Sequence, residues 1–491
     1  MKGLSLFLLA GLAMEPVALA AEGSVGGYMR VMTRPDFQGG DGRLGYWNLY
    51  GRLLNEGPFV ALESQLALLE QAPGSDAVWT RVHGRIEGGS VGNSDAGNGG
   101  LENMRLTQLY AQAGNILIPE VTWQFGTLQT WMGDLGLYDM RPTTLFDDTV
   151  GFSGHYQQDA IDLIVGVGDA GYAKKGERYN TVFSTGANLR VRPVRGLELG
   201  VGSQFWFEPE VVGNRYAPYS TPGLDYEDWL RGEVLSNWVI DHPDQEQNFP
   251  DPEPTSTSSY KLVGYLGFGG FGPLEWNSLF VSYQRLHPEI YATETYNGDV
   301  FDLYIHDLTD ERTALLVGDE LQLSLLPGRL DMVLGGLYGS HGDADNTIAP
   351  SEHNRSYAST VLRLQTYATP VVHFLLETSY AVENSTNGNQ FRNNVDSVFQ
   401  NTGGMTDSRG LEYGDSDSRT TWQGKGGIVL NPLGPGVYVR PSMRLLYGVQ
   451  WSSQNAAFGN SFVETLDQYN HFGNIERHLH HVVALETEAW F

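Results

Sequence analysis

From Val25 to the end of the chain, apolar positions recur every second residue, in short runs bounded by Gly, Pro, Asn and Asp. That spacing predicts strands with two unlike faces. The last run is the clearest: Val483, Leu485, Thr487, Ala489 and Phe491 share one face, and Val482, Ala484, Glu486, Glu488 and Trp490 the other. The first run puts Val25, Met29 and Val31 opposite Tyr28, Arg30 and Met32. Between them the period predicts strands over Leu44 to Leu54, Phe59 to Leu69, Leu109 to Ala113, Val121 to Gly126, Ala160 to Val167, Thr185 to Pro193, Leu197 to Phe207, Tyr260 to Phe268, Trp276 to Gln284, Glu320 to Leu325, Leu330 to Tyr338, Ser359 to Thr366, Val371 to Val382, Gly426 to Leu430 and Tyr438 to Trp451.

With the two ends this makes roughly 17 strands. Apolar-out, polar-in alternation with a terminal aromatic is the pattern of transmembrane barrels, which in bacteria use an even number of strands. The expected fold class is therefore all-β, a transmembrane antiparallel β-barrel of 18 strands, with 16 as the alternative. Lys2, the apolar stretch Gly3 to Ala13 and the Ala18-Leu19-Ala20 site predict a signal peptide over 1–20, leaving 21–491 as one barrel domain. No later run of about 18 apolar residues could form a membrane helix. A closed barrel also satisfies its backbone in lipid, so the expected location is the bacterial outer membrane, crossed many times.

Leu326-Pro327-Gly328-Arg329, Thr369-Pro370 and the segment Asn431 to Gly436 read as periplasmic turns, with Pro or Gly setting their geometry. Glu208 to Ser259, rich in Pro and acids, and Glu383 to Arg419, rich in Asn, Ser, Gly and Asp, read as long extracellular loops. Tyr226 to Ile240 within the first is a candidate short helix.

Composition narrows the function. The chain has no cysteine, so no disulfide or thiol chemistry is available. A net charge of -28 works against nucleic-acid binding, which needs clustered Lys and Arg. It suits acidic surface loops or the attraction of cations. No G-x-S-x-G, H-E-x-x-H or phosphate-binding Gly-rich loop is present, and no enzyme is expected. No cofactor is expected either. The acidic loops could hold Ca²⁺ as a structural ion, although none spells D-x-[DN]-x-[DN]-G. His471, His478, His480 and His481 read as metal ligands or as a His-rich loop at a strand end.

The inward faces carry more chemistry. Period two turns Trp276, Ser278, Phe280, Ser282 and Gln284 inward, and likewise Tyr438, Arg440, Ser442 and Arg444. Aromatics in a water-filled lumen could stack on sugar rings. They could equally belong to the interfacial girdle or pack under loops.

Tyr438-Val439-Arg440-Pro441-x-Met443-Arg444 resembles the W-S-R-P-x-x-R strand of maltoporins, the trimeric 18-stranded sugar channels of the outer membrane. The run from Trp276 to Tyr283 is similar to their F-N-K-F-V-V-Q-Y strand. Arg329 to Met332 with Tyr338 resembles N-W-D-M, Gly27 to Arg30 resembles G-Y-A-R, and Arg43 to Gly45 resembles R-L-G-N. The matches keep their chain order. The resemblance implies an aromatic slide on Tyr28, Trp276, Tyr438 and Trp490, with Trp79 as the loop tryptophan lent by a neighbouring subunit. It implies sugar-hydroxyl ligands at Arg30, Asp134 and Asp139, the last two in an inward-folded constriction loop over Trp131 to Thr144. Arg141 stands where the family has tyrosine, Thr127 to Thr130 replace a basic run, and the family's first-loop disulfide is missing.

The resulting expectation is a homotrimeric channel for passive, substrate-preferring diffusion of oligosaccharides, in contact with outer-membrane lipid. Arg30, Arg440, Arg444 and Asp139 would supply charged hydrogen bonds weak enough for release. The alternatives are a general or cation-selective porin and a barrel that binds partners through its acidic loops.

Overall fold

Alternation along the chain becomes a closed sheet. The computed structural model describes residues 23–491 except 36, 38–41, 46–47, 71–75, 89–103, 172–180, 210–255, 287–289, 297–298, 306–311, 344–354, 386–417 and 454–478. Its strands are β1 (Gly23–Thr33), β2 (Phe59–Leu69), β3 (Trp79–Gly88), β4 (Arg105–Gly114), β5 (Val121–Thr127), β6 (Val150–Gln158), β7 (Ile161–Asp169), β8 (Phe183–Val194), β9 (Leu197–Glu208), β10 (Thr257–Phe271), β11 (Leu274–Leu286), β12 (Ile290–Tyr296), β13 (Asp299–Ile305), β14 (Arg312–Leu326), β15 (Leu330–Asp343), β16 (Arg355–Tyr367), β17 (Val372–Ser385), β18 (Ser418–Leu430), β19 (Ser442–Ser452) and β20 (Leu479–Trp490).

Every strand except β12 and β13, which form a separate hairpin, pairs antiparallel with its neighbours in one 18-stranded sheet. The sheet closes where β1 meets β20, from Tyr28 opposite Trp490 to Thr33 opposite Leu485. Phe491 completes the seam: the Gly27 amide donates to the Phe491 carbonyl at 2.9 Å, and the Phe491 amide donates to the Gly27 carbonyl at 3.1 Å. Closure leaves no edge of the 18-stranded sheet unpaired, the condition for crossing lipid with strands.

The outer face is apolar and exposed. Leu62, Ile86, Leu106, Phe125, Val165, Val201, Phe205, Leu376, Leu445 and Leu485 lie on it. A continuous band of this kind far exceeds the patches tolerated in water and marks a lipid-facing surface. Tyr380, Trp422 and Trp451 sit side by side on three strands at the long-loop end, an aromatic girdle. The chain is a transmembrane β-barrel of the bacterial outer membrane. The predicted turns Leu326 to Arg329, Thr369 to Pro370 and Asn431 to Gly436 fall between β14 and β15, β16 and β17, and β18 and β19, at one end of the barrel.

Some expectations need correction, and others lie outside the described residues. Among its described residues Leu44 to Leu54 forms no strand: Leu44, Leu49, Tyr50, Leu53 and Leu54 are all buried, around a 3-10 turn at Asn48–Tyr50. Burial on every side, with positive φ at Gly51 and Leu54, makes it a folded-in loop. β3 and β6 went unpredicted, because Arg and His fill the inner face of β3 and glycines interrupt β6. Tyr438 to Pro441 precedes β19 and belongs to the turn. The signal peptide, the Tyr226 to Ile240 helix, most of both acidic loops with their Ca²⁺ reading, and His471 and His478 fall outside the described residues.

Candidate functional site

Two loops fold into the barrel and decide what remains of its lumen. The third loop, residues 128–149 between β5 and β6, is a small hairpin bridged at Thr130 with Leu145 and at Leu135 with Met140. Its apolar residues Met132, Leu135, Leu137, Tyr138, Leu145 and Phe146 are at most 1% exposed and pack on Val263, Tyr265, Phe280, Val333 and Leu337 of the wall. Wall glycines make room for it. A Cβ on Gly318 would lie 2.5 Å from Leu135, one on Gly335 2.8 Å from Tyr138, and one on Gly202 2.8 Å from Leu145.

Polar anchors fix the loop around the wall. The Phe146 amide donates to Gln204 at 2.7 Å and Asn188 donates to Thr130 at 2.9 Å. Lys261 donates to the Thr144 carbonyl at 2.8 Å, and the Leu137 amide donates to Glu320 at 2.8 Å. The loop thus covers the wall from β7, where Phe146 and Leu128 face Gly166, to β16.

The first loop, residues 34–58 between β1 and β2, covers the wall from β16 to β20. Lys425 donates to the Tyr50 carbonyl at 2.8 Å, and Tyr50 donates to Glu383 at 2.7 Å. Asn55 donates to Gln423 at 3.1 Å, and His480 bonds the Arg43 carbonyl at 3.0 Å. Beneath it the wall is a set of buried ion pairs. Glu377 lies between Arg363 at 2.6 Å and Lys425 at 2.9 Å, and Arg419 binds Glu383 at 2.7 Å. Glu488, buried and left without a role by the sequence, is the hub of Arg52 at 2.6 Å, Arg440 at 2.7 Å, Arg444 at 2.6 Å and the Tyr28 hydroxyl.

The loops clasp each other where they meet. The Arg52 amide donates to the Leu137 carbonyl at 2.8 Å. Glu56 is bound by Arg30, by Arg52 at 3.2 Å and by Asn48 at 2.7 Å, while Asp139 lies 3.6 Å from Arg30. Burial pushes the Glu56 carboxyl up to about 7 against the pull of Arg52 and Arg30, and its hydrogen bond to Asp139 adds to the rise. For Asp139 burial also acts upward, but Arg52, the Glu56 hydrogen bond and Arg30 outweigh it and hold the group below the usual carboxylate range.

The wall from β2 to β5 stays uncovered by these loops, and the inward side chains of β3 to β5 keep partial exposure, while Ser153 and Asp162 on β6 and β7 are buried. Glu63 pairs with Arg85 at 3.1 Å, and Arg85 with Glu87 at 2.8 Å. Arg81 donates to Gln112 at 2.8 Å, Gln112 to Gln124 at 2.8 Å, and His83 stacks on Tyr110 at 4.7 Å. Nearer the short-turn end, Asp162 binds His155 at 2.8 Å and Arg190 at 2.7 Å. The sequence left β3 unread, although its alternation of Arg and His with Val and Ile carried the signal.

The predicted site residues divide three ways. Asp134, Asp139 and Arg141 lie on the exposed side of the third loop, with Arg141 4.1 Å above the Trp131 ring. Tyr28, Arg30, Arg440 and Arg444 are brought together, but around Glu488 and Glu56 rather than in open lumen. The aromatic row is broken. Tyr438 donates to Glu320 at 2.8 Å and packs on the third loop at Gly136. Trp276 donates to Ser278 at 3.0 Å, and Trp490 lies 4.6 Å from Tyr28 at the rim, 58% exposed. Buried carboxylates recruit the Tyr28 and Tyr438 hydroxyls, which is why these two rings turn away from the channel. Trp79 opens β3 at the short-turn end, with Arg81 4.8 Å above it, and is not among the long loops. Of the expected histidine cluster, His480 is buried and His481 sits edge-on to Tyr447.

No protein-family model and no curated protein matches the chain by sequence. Among solved structures it is similar to Pseudomonas aeruginosa OprD, at 9% identity over 96% of this chain and 95% of that one, with a TM-score of 0.41. It is also similar to the outer membrane channel DcaP of Acinetobacter baumannii, at 12% identity, 96% and 97% coverage and a TM-score of 0.37. A third is the trimer form of OmpT, an outer membrane protein of Vibrio cholerae, at 7% identity, 96% and 100% coverage and a TM-score of 0.38. Narrower membership of the maltoporin family gains no support from these. The barrel assignment rests on the strand register.

Proposed function

We propose that this barrel is a passive outer-membrane channel for small polar solutes, that uncharged oligosaccharides are preferred among them, and that it works as a homotrimer without catalysis. The carrying observation is the division of the lumen: two loops pack against β7 to β20, while β2 to β5 present Glu63, Arg81, His83, Arg85, Gln112 and Gln124 to solvent. A polar, partly exposed inner wall offers many weak contacts, which lets a solute enter and leave. Asp134, Asp139 and Arg141, exposed on the third loop, would meet solute from the other side, and Trp79 would lie at the periplasmic exit. The trimer follows the maltoporin resemblance and is tested by the mass of the detergent-solubilised protein.

Planar-bilayer recording tests the channel. Purified protein should give stepwise conductance, and its complete absence across a range of voltages would defeat the reading. The exposed Asp134, Asp139 and Asp147 favour a second reading, a general cation-selective porin. Reversal potentials in a salt gradient, measured with and without sugars, separate the two.

A further inference from the structure

The uncovered wall carries an arrangement that neither the sequence motifs nor the resemblance assigns. On β3, β4 and β5, Arg81, Gln112 and Gln124 stand in register across three strands. Their hydrogen bonds run one way: Arg81 Nε donates to Gln112 Oε1, Gln112 Nε2 to Gln124 Oε1, and Gln124 Nε2 to the Thr127 carbonyl, each at 2.8 Å. A primary amide has two N–H donors and two acceptor lone pairs. Each glutamine uses one donor and one lone pair in this chain, so each retains one of both kinds, and both side chains are partly exposed. A surface that donates and accepts at adjacent points matches a hydroxyl, which does the same.

Aromatic surface flanks the amides on both sides. One register step along β3 in each direction lie the stacked His83 and Tyr110, and Trp79 with the Arg81 guanidinium over its face. All are partly exposed. Among the neighbouring charges, Glu63 and Glu87 hold Arg85 between them. Glu63 and Glu87 against Arg81, Arg85 and Arg105, the last in register with Glu87, leave about one net positive charge, and a nearly balanced wall with paired donors and acceptors and aromatic rings at its ends suits a flat, polyhydroxylated ring.

We infer that the wall formed by Trp79, Arg81, His83, Tyr110, Gln112 and Gln124 is the binding track for uncharged oligosaccharides. This rests on the channel reading above, and places the sugar on β3 to β5 rather than along Tyr28, Trp276, Tyr438 and Trp490. The amide chain supplies the hydroxyl contacts and the rings the stacking surface.

The test is block of single-channel current in planar bilayers by maltohexaose, cellohexaose and xylohexaose, with hexagalacturonate as the charged comparison. At least one uncharged hexamer should interrupt the wild-type current. The double variant Gln112→Leu, Gln124→Leu should raise its half-blocking concentration at least ten-fold, whereas Trp490→Ala should stay within two-fold of wild type. Gln112→Met, which keeps side-chain length, should give a smaller rise in the same direction, and heat-modifiable migration on a gel confirms that each variant is a folded barrel. Equal block in the folded Gln112→Met and wild-type proteins would overturn the track, as would loss of block in Trp490→Ala. Open channels blocked only by hexagalacturonate, or by none of the four, would overturn the sugar assignment while leaving the channel standing. No conductance from wild type would instead defeat the channel reading itself.

Discussion

The two halves of the barrel interior hold charges in opposite ways. Under the first loop, Glu377, Glu383 and Glu488 are sealed from water, each met by at least one Arg or Lys. On β2 and β3, Glu63, Arg85 and Glu87 form an equally close chain, yet remain partly exposed. The difference teaches what each set is for. A dry pair costs desolvation and is strongly destabilising to break, whereas a wet pair is worth little and can be exchanged for a passing solute. One half fixes the loops, and the other leaves its contacts negotiable.

The sharpest way to break that contrast is to remove a dry carboxylate. Glu377→Ala leaves Arg363 and Lys425 buried without their partner and should cost about 3–5 kcal/mol, read from urea unfolding in detergent. Trimming the loop core comes next. Leu135→Ala should cost about 2–5 kcal/mol and raise single-channel conductance, because the third loop loses its seat against the wall. A conductance unchanged from wild type would mean that this loop does not set the pore.

The clasp between the loops adds a pH dependence. Glu56 faces Arg30, Arg52, Asn48 and Asp139, and its folded value of about 7 lies above that of an unfolded glutamate. Between those values the folded protein holds the extra proton, so the clasp weakens as pH rises and is tightest on the acid side of 7. Conductance should therefore increase from about pH 5 to about pH 7 and level off above it, and Glu56→Gln should flatten the curve. The smallest effect belongs to the wet half. Arg85→Gln should alter stability by less than about 1 kcal/mol while shifting the reversal potential toward cation preference.

Much of the barrel was legible because one face of each strand must meet lipid. Phe59 to Leu69 was read to the residue, and the inward set Ser442 and Arg444 was turned the right way. Legibility failed where apolar residues meet protein on all sides. Leu44 to Leu54 mimicked a strand because the first loop buries its leucines around a turn, beyond what period two can express. The constriction loop was placed through the family resemblance. The carboxylates that hold Tyr28 and Tyr438 come from β20 and β14, so no local pattern revealed that those rings were already engaged. β3 escaped because its inner face is charged and its outer face offers only short or branched residues.

The glycines lining β9, β14 and β15 act as more than spacers. A methyl group at Gly202, Gly318 or Gly335 would press on the third loop and displace it toward the barrel axis. The calibre of the conduit is thus adjustable from the wall behind the loop, one substitution at a time, without replacing any side chain that a permeant touches. Selection on throughput and selection on chemical preference would then act on separate sets of positions.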